Sequence, residues 1–454
     1  MTTPITEFKA KIKEISDLAF SNAVLNLEAE TKKSAPQEWT NDFKTKFVHL
    51  VHEGFKKAQL ILVDEICFYQ NKLEECNSDL KIARRERNKS EENRLKGVIK
   101  DVEFRIKLLY SIGDGIAWQM LGNQVHILRR FYTNDTPKTL KQSNIQHALE
   151  VAGAINKDPN DFALITDLTN FVQISDLIVL SGGEIGILEL KEGAVNDELK
   201  KIKEDLFSSS NPKEKLEEIE STLDPKKLKQ FFRMLKQDIK MIETINTINN
   251  NEGIDIKTGK NIKLLTPEHI TETYTGKISE TILKLENKTW SYSVDYGGII
   301  QIGVYKKESF QLSLVAIPSI LSESKYKIIV DYSSIIENLS EPLFAKPFSP
   351  DVINSIQFGD LKIIIGLDLD KFFQDFEKFF GIKTRVLSRK ETMKLKELDK
   401  ENAKHIFIIE NQAFEFTDVN SGKSMILGGG IISKIIYDNI SPLTIYMDVK
   451  QTLR

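Results

Sequence analysis

The chain has 454 residues, of which 41% are hydrophobic and 28% are charged, and its formal net charge is -3. A chain of this length is too long to fold around one ordinary hydrophobic core, so we expect two or three domains in an α/β protein. The two cysteines are too few for a disulfide framework, and the sequence shows no signal-peptide pattern and no apolar run of membrane-spanning length. We therefore expect a cytoplasmic protein that does not enter a membrane.

The first part of the chain is predicted to be helical. Apolar residues recur at spacings of three and four over Thr6–Leu27 and Asn41–Leu80, and glycine is sparse. We interpret residues 1–109 as a helical N-terminal region that forms a small bundle or an oligomerisation arm, which favours a homo-oligomer. Its last part, residues 81–107, contains ten basic and five acidic residues. This segment is either a nucleic-acid-binding face or a solvated helix face with internal ion pairs.

A β-hairpin is predicted after a further helical segment, Ser143–Ile155. Two β-branched runs, Ile174–Leu180 and Ile185–Leu190, are separated by Ser-Gly-Gly-Glu, which is typical of a tight turn. Side chains alternate along a strand, so Glu189 and Lys191 should share one face. Asp176 lies on the neighbouring strand, where its carboxylate can approach that of Glu189.

This pattern predicts a metal-dependent phosphodiesterase site. Two neighbouring carboxylates suit a hard divalent cation, Mg²⁺ with Mn²⁺ as a substitute, which also takes phosphate oxygens as ligands. An adjacent lysine, here Lys191, can orient the attacking water or stabilise the charge that develops in the transition state.

The same stretch resembles the core of the PD-(D/E)xK nuclease superfamily, and the matching residues are Asp176, Glu189 and Lys191. The resemblance implies a restriction-endonuclease-like mixed-sheet core within residues 110–250. It also implies Mg²⁺-dependent hydrolysis of phosphodiester bonds, most readily in DNA, and a role in bacterial restriction or anti-phage defence. Asp176 and Glu189 would then be metal ligands.

Two further site residues are implied by the resemblance. Superfamily members place an acidic residue on a helix before the first strand, and Glu103 and Asp114 both qualify. We favour Asp114 as a third metal ligand, because the glycines on either side of it would let the backbone approach the sheet. Members also carry a Gln or Lys on the helix after the triplet, which makes Gln230 a catalytic candidate and Arg233 its alternative.

The helix that carries Gln230 is predicted over Pro225–Ile245. An acidic helical insert, Asp197–Asp224, would separate it from the hairpin. Asn246–Gly259 is predicted to be a loop and a domain boundary.

Residues 251–454 are predicted to form a C-terminal α+β region of unassigned role. The predicted strands are Thr289–Val294, Ile299–Tyr305, Gln311–Ile317, Lys327–Asp331 and Leu361–Leu367. A phenylalanine stripe between residues 372 and 380 favours core packing on a helix. We interpret Asp368–Asp370 as the N-cap region of that helix, and Asn420–Ser424 as a hairpin turn that only resembles the end of a phosphate-binding loop.

Two other functions compete with the DNA nuclease. The first is a catalytically inactive scaffold that binds DNA or a protein partner, which the low overall basicity favours and the intact Asp, Glu and Lys disfavour. The second is hydrolysis of RNA or a small nucleotide at the same metal site, which sequence alone does not distinguish from hydrolysis of DNA.

Overall fold

The computed structural model describes residues 3–32, 36–122, 124–128, 130–132, 139–140, 143–190, 194–254, 259, 261–264, 268–333, 341–398 and 405–453. The chain forms two compact units, Met1–Leu264 and Leu265–Arg454. Both the helical region 1–109 and the segment 110–250, for which a nuclease-like core was expected, lie within the first unit. No helix in these ranges is long and apolar enough to cross a membrane.

The first unit is built on three long helices. Its helices are α1 (Ile5–Asn26), α2 (Glu28–Thr31), α3 (Asn41–Arg85), α4 (Lys89–Met120), α5 (Val125–Leu128), α6 (Ile145–Ile155), α7 (Ala194–Ser208), α8 (Pro212–Thr222) and α9 (Pro225–Asn250). Helix α3 packs against both α1 and α4. The hydroxyl of Thr40 caps α3 and the side chain of Asn88 caps α4, each accepting a bond from a backbone N–H in the first turn. The predicted N-terminal helices are confirmed.

A three-stranded antiparallel sheet lies against these helices, with the strand order β1 (Phe162–Ile165), β2 (Leu177–Ser181), β3 (Glu184–Leu188). Gln59 of α3 covers the outer edge of β1. Its side-chain nitrogen donates to the carbonyl oxygen of Ala163 (3.1 Å), and its side-chain oxygen accepts from the N–H of Ile165 (2.9 Å). These bonds satisfy buried backbone groups that a fourth strand would otherwise pair. Strand β3 forms the other edge of this sheet.

The segment after the sheet is helical, as predicted. Helices α7, α8 and α9 enclose an apolar cluster of Leu199, Leu206, Ile219, Phe231 and Met234. The predicted loop Asn246–Gly259 is wrong in its first part, because α9 continues to Asn250. A short hairpin, β4 (Glu252–Ile254) and β5 (Asn261–Lys263), then packs on the end of α9.

The second unit has two antiparallel sheets. The strands are β6 (Trp290–Asp295), β7 (Ile300–Lys306), β8 (Lys327–Asp331), β9 (Leu361–Asp368), β10 (Ile382–Val386), β11 (Ile408–Ile409), β12 (Gln412–Asp418) and β13 (Ser424–Ile426). One sheet has the order β6-β7-β9-β8, and in the other β12 pairs with β10, β11 and β13. The helices are α10 (Thr275–Leu283), α11 (Phe310–Ser313), α12 (Ala316–Ile320), α13 (Pro350–Gln357), α14 (Leu369–Phe380), α15 (Arg389–Leu398), α16 (Gly429–Ile436) and α17 (Pro442–Leu453).

Four of the five strands predicted in the second unit are confirmed, as β6, β7, β8 and β9. The predicted strand Gln311–Ile317 is wrong, because this run forms α11 and the start of α12. The Asp368 carboxylate caps α14 by accepting from the N–H of Lys371. Phe372, Phe373 and Phe376 of the phenylalanine stripe are buried, as expected for a core helix.

The sheets differ from the expected mixed core. Every pair of strands in the described part of the chain is antiparallel. The fold is therefore a combination of helices and small antiparallel sheets, and the parallel strand that a mixed sheet requires is not found in these residues.

Candidate functional site

The hairpin that carries the candidate site has a fixed register. Leu177 pairs with Leu188 at its open end, and Ser181 pairs with Glu184 at the turn. The two turn residues, Gly182 and Gly183, have positive φ angles of 58° and 83°. Paired positive φ angles are required by the type I′ turn that matches the twist of antiparallel strands, which explains the Gly-Gly sequence. This register brings Asp176 and Glu189, the next residues outward, together at the open end.

Asp176 is half-buried and its backbone is held on both sides. Its N–H donates to the carbonyl oxygen of Leu188 (3.1 Å), and its carbonyl oxygen accepts from the N–H of Thr166 (3.0 Å). Its carboxylate Oδ2 accepts from the N–H of Leu190 at 2.7 Å. That N–H belongs to the Glu189–Leu190 peptide, so the Asp176 carboxylate lies directly against the backbone of Glu189. The other oxygen, Oδ1, has no hydrogen bond to any described residue.

Glu189 is also half-buried, and helix α9 supplies a partner for it. The Nε2 of Gln237 donates to Glu189 Oε1 at 3.0 Å. Both Asp176 and Glu189 lie one residue outside the strands, whereas the sequence placed them within longer ones. The third residue of the motif, Lys191, lies outside the described residues.

The glutamine that meets the site differs from the one expected. Gln230 donates to Asn196 Oδ1 of α7 at 3.2 Å, and the alternative candidate, Arg233, is exposed. Gln237 lies seven residues, about two turns, after Gln230 and so lies on nearly the same face of α9. Gln237, two turns further along α9, therefore makes the contact with Glu189 that was expected of Gln230.

Asp114 takes part in a different set of hydrogen bonds. It is only 9% exposed, and its two oxygens accept from the backbone N–H and the side-chain Nδ2 of Asn170, each at 2.7 Å. Burial raises the pKa of Asp114 to about 7, against the opposing effect of these hydrogen bonds. The alternative acid, Glu103, is exposed on α4. Asp114 thus has a structural partner of its own.

Of the two glycines beside Asp114, Gly113 makes a close backbone contact, and it does so with the turn after β1, where an approach to the sheet itself was expected. A Cβ on Gly113 would lie 2.0 Å from the carbonyl oxygen of Leu168, in the 3₁₀ turn after β1. Only glycine fits at this contact between α4 and the end of the first strand.

The carboxylates that could hold a metal are Asp176 and Glu189. No group of three or more His, Cys, Asp or Glu residues within the described ranges could hold a metal ion, so Asp114, Asp176 and Glu189 do not form the three-ligand set that was expected. Magnesium sites in enzymes acting on phosphates need only one or two carboxylates, because water and the substrate complete the coordination. The free Oδ1 of Asp176 and the Glu189 carboxylate fit that smaller requirement.

No family model matches this chain. Neither the curated proteins nor the solved structures include a match to it.

Proposed function

We propose that this protein is a metal-dependent nuclease that hydrolyses phosphodiester bonds in DNA. The observation that carries the proposal is the bond from the Glu189–Leu190 peptide to the Asp176 carboxylate. It holds two acidic residues side by side at the open end of one hairpin. Two carboxylates at paired positions match the one or two that a magnesium site acting on a phosphate requires.

The order of the elements supports the proposal. Helix α6 precedes β1, β2 and β3, and helices α7 to α9 follow. Helices before and after a strand hairpin that carries Asp and Glu-x-Lys agree with the PD-(D/E)xK resemblance. The proposal includes a role in bacterial anti-phage defence and a core related to the restriction-endonuclease fold, of which the described residues contain the antiparallel hairpin and its flanking helices but no parallel strand pair.

The proposed chemistry depends on a bound divalent cation, which would polarise a phosphate oxygen and lower the pKa of a bound water. Asp176 and Glu189 would hold it. The backbone bonds of Asp176 fix the direction of its carboxylate, and Gln237 fixes that of Glu189. Lys191 would orient the nucleophilic water or stabilise the charge on the phosphate in the transition state.

Cleavage of supercoiled plasmid and single-stranded DNA tests this function. We expect cutting that requires Mg²⁺ or Mn²⁺ and is abolished in Glu189→Ala and in Lys191→Ala. A matched control is Glu184→Ala, which removes an exposed carboxylate at the other end of the same strand. The control should cut like the wild type.

Two results would contradict the proposal. One is the absence of cutting by the wild type under all metal conditions while DNA binding is unaffected by either substitution, which would favour the inactive scaffold. The other is cutting that persists in Glu189→Ala at the rate of Glu184→Ala, which would place any activity elsewhere.

A further inference from the structure

Helix α9 carries a stripe of five basic residues, here called the α9 stripe. Its members follow one another at spacings of three and four residues: Lys226, Lys229, Arg233, Lys236 and Lys240. At about 100° per residue these positions fall within an arc of about 80°, and at 1.5 Å per residue they extend over about 21 Å. The cations therefore form one straight row on a rigid helix.

The cations of the α9 stripe have no acidic partners in the part of the chain that the structure describes. None of the five side chains makes an ion pair with a described residue, and all are exposed except Lys240, which is half-buried. Two other charges of this helix are neutralised by residues of α7. Asp238 pairs with Lys203 of α7, and Lys227 pairs with Glu198 of α7, both at 2.7 Å. The row is interrupted only beyond Lys240, where Glu243 follows.

The other basic segment of the sequence, residues 81–107, is different. Glu92 is in ion-pair contact with Arg84 (3.5 Å), Lys89 (3.0 Å) and Lys96 (2.8 Å), and these lysines hold the pKa of its carboxyl at about 2. Arg94 and Arg105 also pair with acids one turn away. Five of the ten basic residues of this segment are therefore in ion pairs, as expected for a solvated helix face, whereas none of the five cations of the α9 stripe pairs with a described residue.

The α9 stripe lies next to the candidate active site. Gln237, which contacts Glu189, lies on the same helix between Lys236 and Lys240, about 60° around the axis from the centre of the stripe. A molecule lying along the stripe would therefore pass beside the two carboxylates.

We propose that the α9 stripe binds the phosphate backbone of duplex DNA and positions it at the candidate site. The inference rests on the proposed function for the choice of DNA, and on the unpaired charges for the binding surface. A row of about 21 Å matches roughly six base pairs at 3.4 Å each, and phosphate contacts of this kind act without regard to sequence. The exposed Phe232 beside the stripe is a single ring, too little for a row of stacked single-stranded bases.

The test compares two triple charge reversals in the full chain. The stripe variant is Lys229→Glu, Arg233→Glu and Lys236→Glu. The control is Lys81→Glu, Arg85→Glu and Lys100→Glu, which changes three exposed cations of α3 and α4 that make no ion pair with a described residue, and it alters the net charge by the same amount. Binding to a labelled duplex is measured by fluorescence anisotropy over a range of salt concentrations, with Ca²⁺ in place of Mg²⁺.

We expect the stripe variant to bind duplex DNA at least ~10-fold more weakly than the wild type. Its affinity should also depend less on salt: the negative slope of log affinity against log salt should become shallower by about three, since each phosphate contact contributes about 0.9. The control should remain within ~2-fold. Equal losses in both variants, or none in either, would overturn the proposal. Tighter binding of duplex RNA than of duplex DNA would overturn the choice of DNA. The far-ultraviolet circular dichroism of both variants should equal that of the wild type, and Lys229→Gln, Arg233→Gln and Lys236→Gln should give a smaller loss in the same direction.

The binding result is separable from catalysis. If the stripe variant loses binding while the wild type cuts no DNA, the α9 stripe stands and the nuclease function fails. If Glu189→Ala loses cutting while the stripe variant binds normally, the nuclease function stands and the stripe is refuted.

Discussion

Gln237 is the residue whose role is least evident from the sequence. It donates to Glu189 from a helix that follows the hairpin by more than thirty residues. A side chain that bonds a metal-binding carboxylate fixes its orientation, and removal of such partners typically lowers metal affinity or activity 10- to 100-fold. We regard Gln237 as a positioning residue.

Gln237→Ala should therefore lower the rate of metal-dependent DNA cutting by about 10-fold or more. The cutting rate should be partly restored at high Mn²⁺ concentration, because the Glu189 carboxylate is retained and only its orientation is lost. Gln230→Ala, which removes the bond to Asn196, is the matched control and should cut at nearly the wild-type rate. Equal effects of both substitutions on rate, with no dependence on Mn²⁺ concentration, would refute the role of Gln237.

The raised pKa of Asp114 should make the free energy of unfolding depend on pH. Burial raises its pKa from 3.8 to about 7, so the folded protein binds this proton more tightly than the unfolded chain does. The stabilisation from protonation is fully present below about pH 4 and is lost as the pH rises towards 7. Each unit of pKa corresponds to about 1.4 kcal/mol, so a total of a few kcal/mol is at stake.

Asp114→Asn should remove this pH dependence, because the amide cannot ionise. The variant should be more stable relative to the wild type at about pH 8 than at about pH 5. Thermal unfolding of both proteins at the two pH values measures the difference. If the melting temperatures of the wild type and Asp114→Asn differ by the same amount at both pH values, Asp114 does not titrate in this range.

At the scale of elements, α4 makes a close backbone contact with the 3₁₀ turn after β1. A Cβ at Gly113 would meet main chain, which cannot move away as a flexible side chain would. Glycine here therefore has a packing function, although it lowers the intrinsic stability of the helix.

Gly113→Ala should destabilise the protein by about 2 kcal/mol or more, as other overpacking substitutions do. Gly97→Ala in the same helix has no atom within 4 Å of the new Cβ and should be neutral or stabilising by up to about 1 kcal/mol. Denaturant unfolding of the two variants gives the comparison. A neutral Gly113→Ala would contradict the described packing of α4.

The elements differ in how far the sequence determined them. The hairpin was predictable because Gly182-Gly183 and β-branched residues each favour the same structure. Strand β1 was missed because four buried apolar residues carry no period of their own, and Gln311–Ile317 was assigned to a strand for the same reason. The seven residues Gln311–Ile317 fit either a buried strand or a short helix.

The candidate site was predictable only where it is local. Asp176 and Glu189 were found because both lie on one hairpin, but their strands end one residue earlier than the pattern suggested. The contact of Gln237 with Glu189, and the bonds of Asp114 to Asn170, depend on tertiary distances that periodicity does not contain. Most ion pairs within residues 81–107 join residues three or four apart, as one interpretation of the sequence expected, whereas the pairs of α9 with α7 join residues 35 and 29 apart, which periodicity does not show.

At the scale of the whole molecule, the two units differ in what they contain. The candidate site and the α9 stripe lie in Met1–Leu264. The second unit contains a fully buried lysine, Lys346, whose Nζ bonds Glu341 at 2.5 Å. Burial lowers the pKa of Lys346, and Glu341 opposes that effect.

Lys346→Ala should destabilise the second unit by about 3 kcal/mol, because it leaves a carboxylate without its partner in a mostly buried site. The control is Lys362→Ala, which breaks a partly exposed pair with Asp331 and should cost at most about 1 kcal/mol. Thermal unfolding compares the two. At a temperature where Lys346→Ala is folded, DNA cutting should stay within ~2-fold of the wild type, and its loss would show that the second unit contributes to activity.

The claim that Asp176 and Glu189 hold a divalent cation is tested most directly by Mn²⁺ binding to the full chain in the presence of duplex DNA, followed by electron paramagnetic resonance. We predict that the wild type and Glu184→Gln bind Mn²⁺ alike, and that Asp176→Asn and Glu189→Gln each lose that binding. Equal Mn²⁺ binding by all four proteins, or none by the wild type, would contradict the assignment of the metal site.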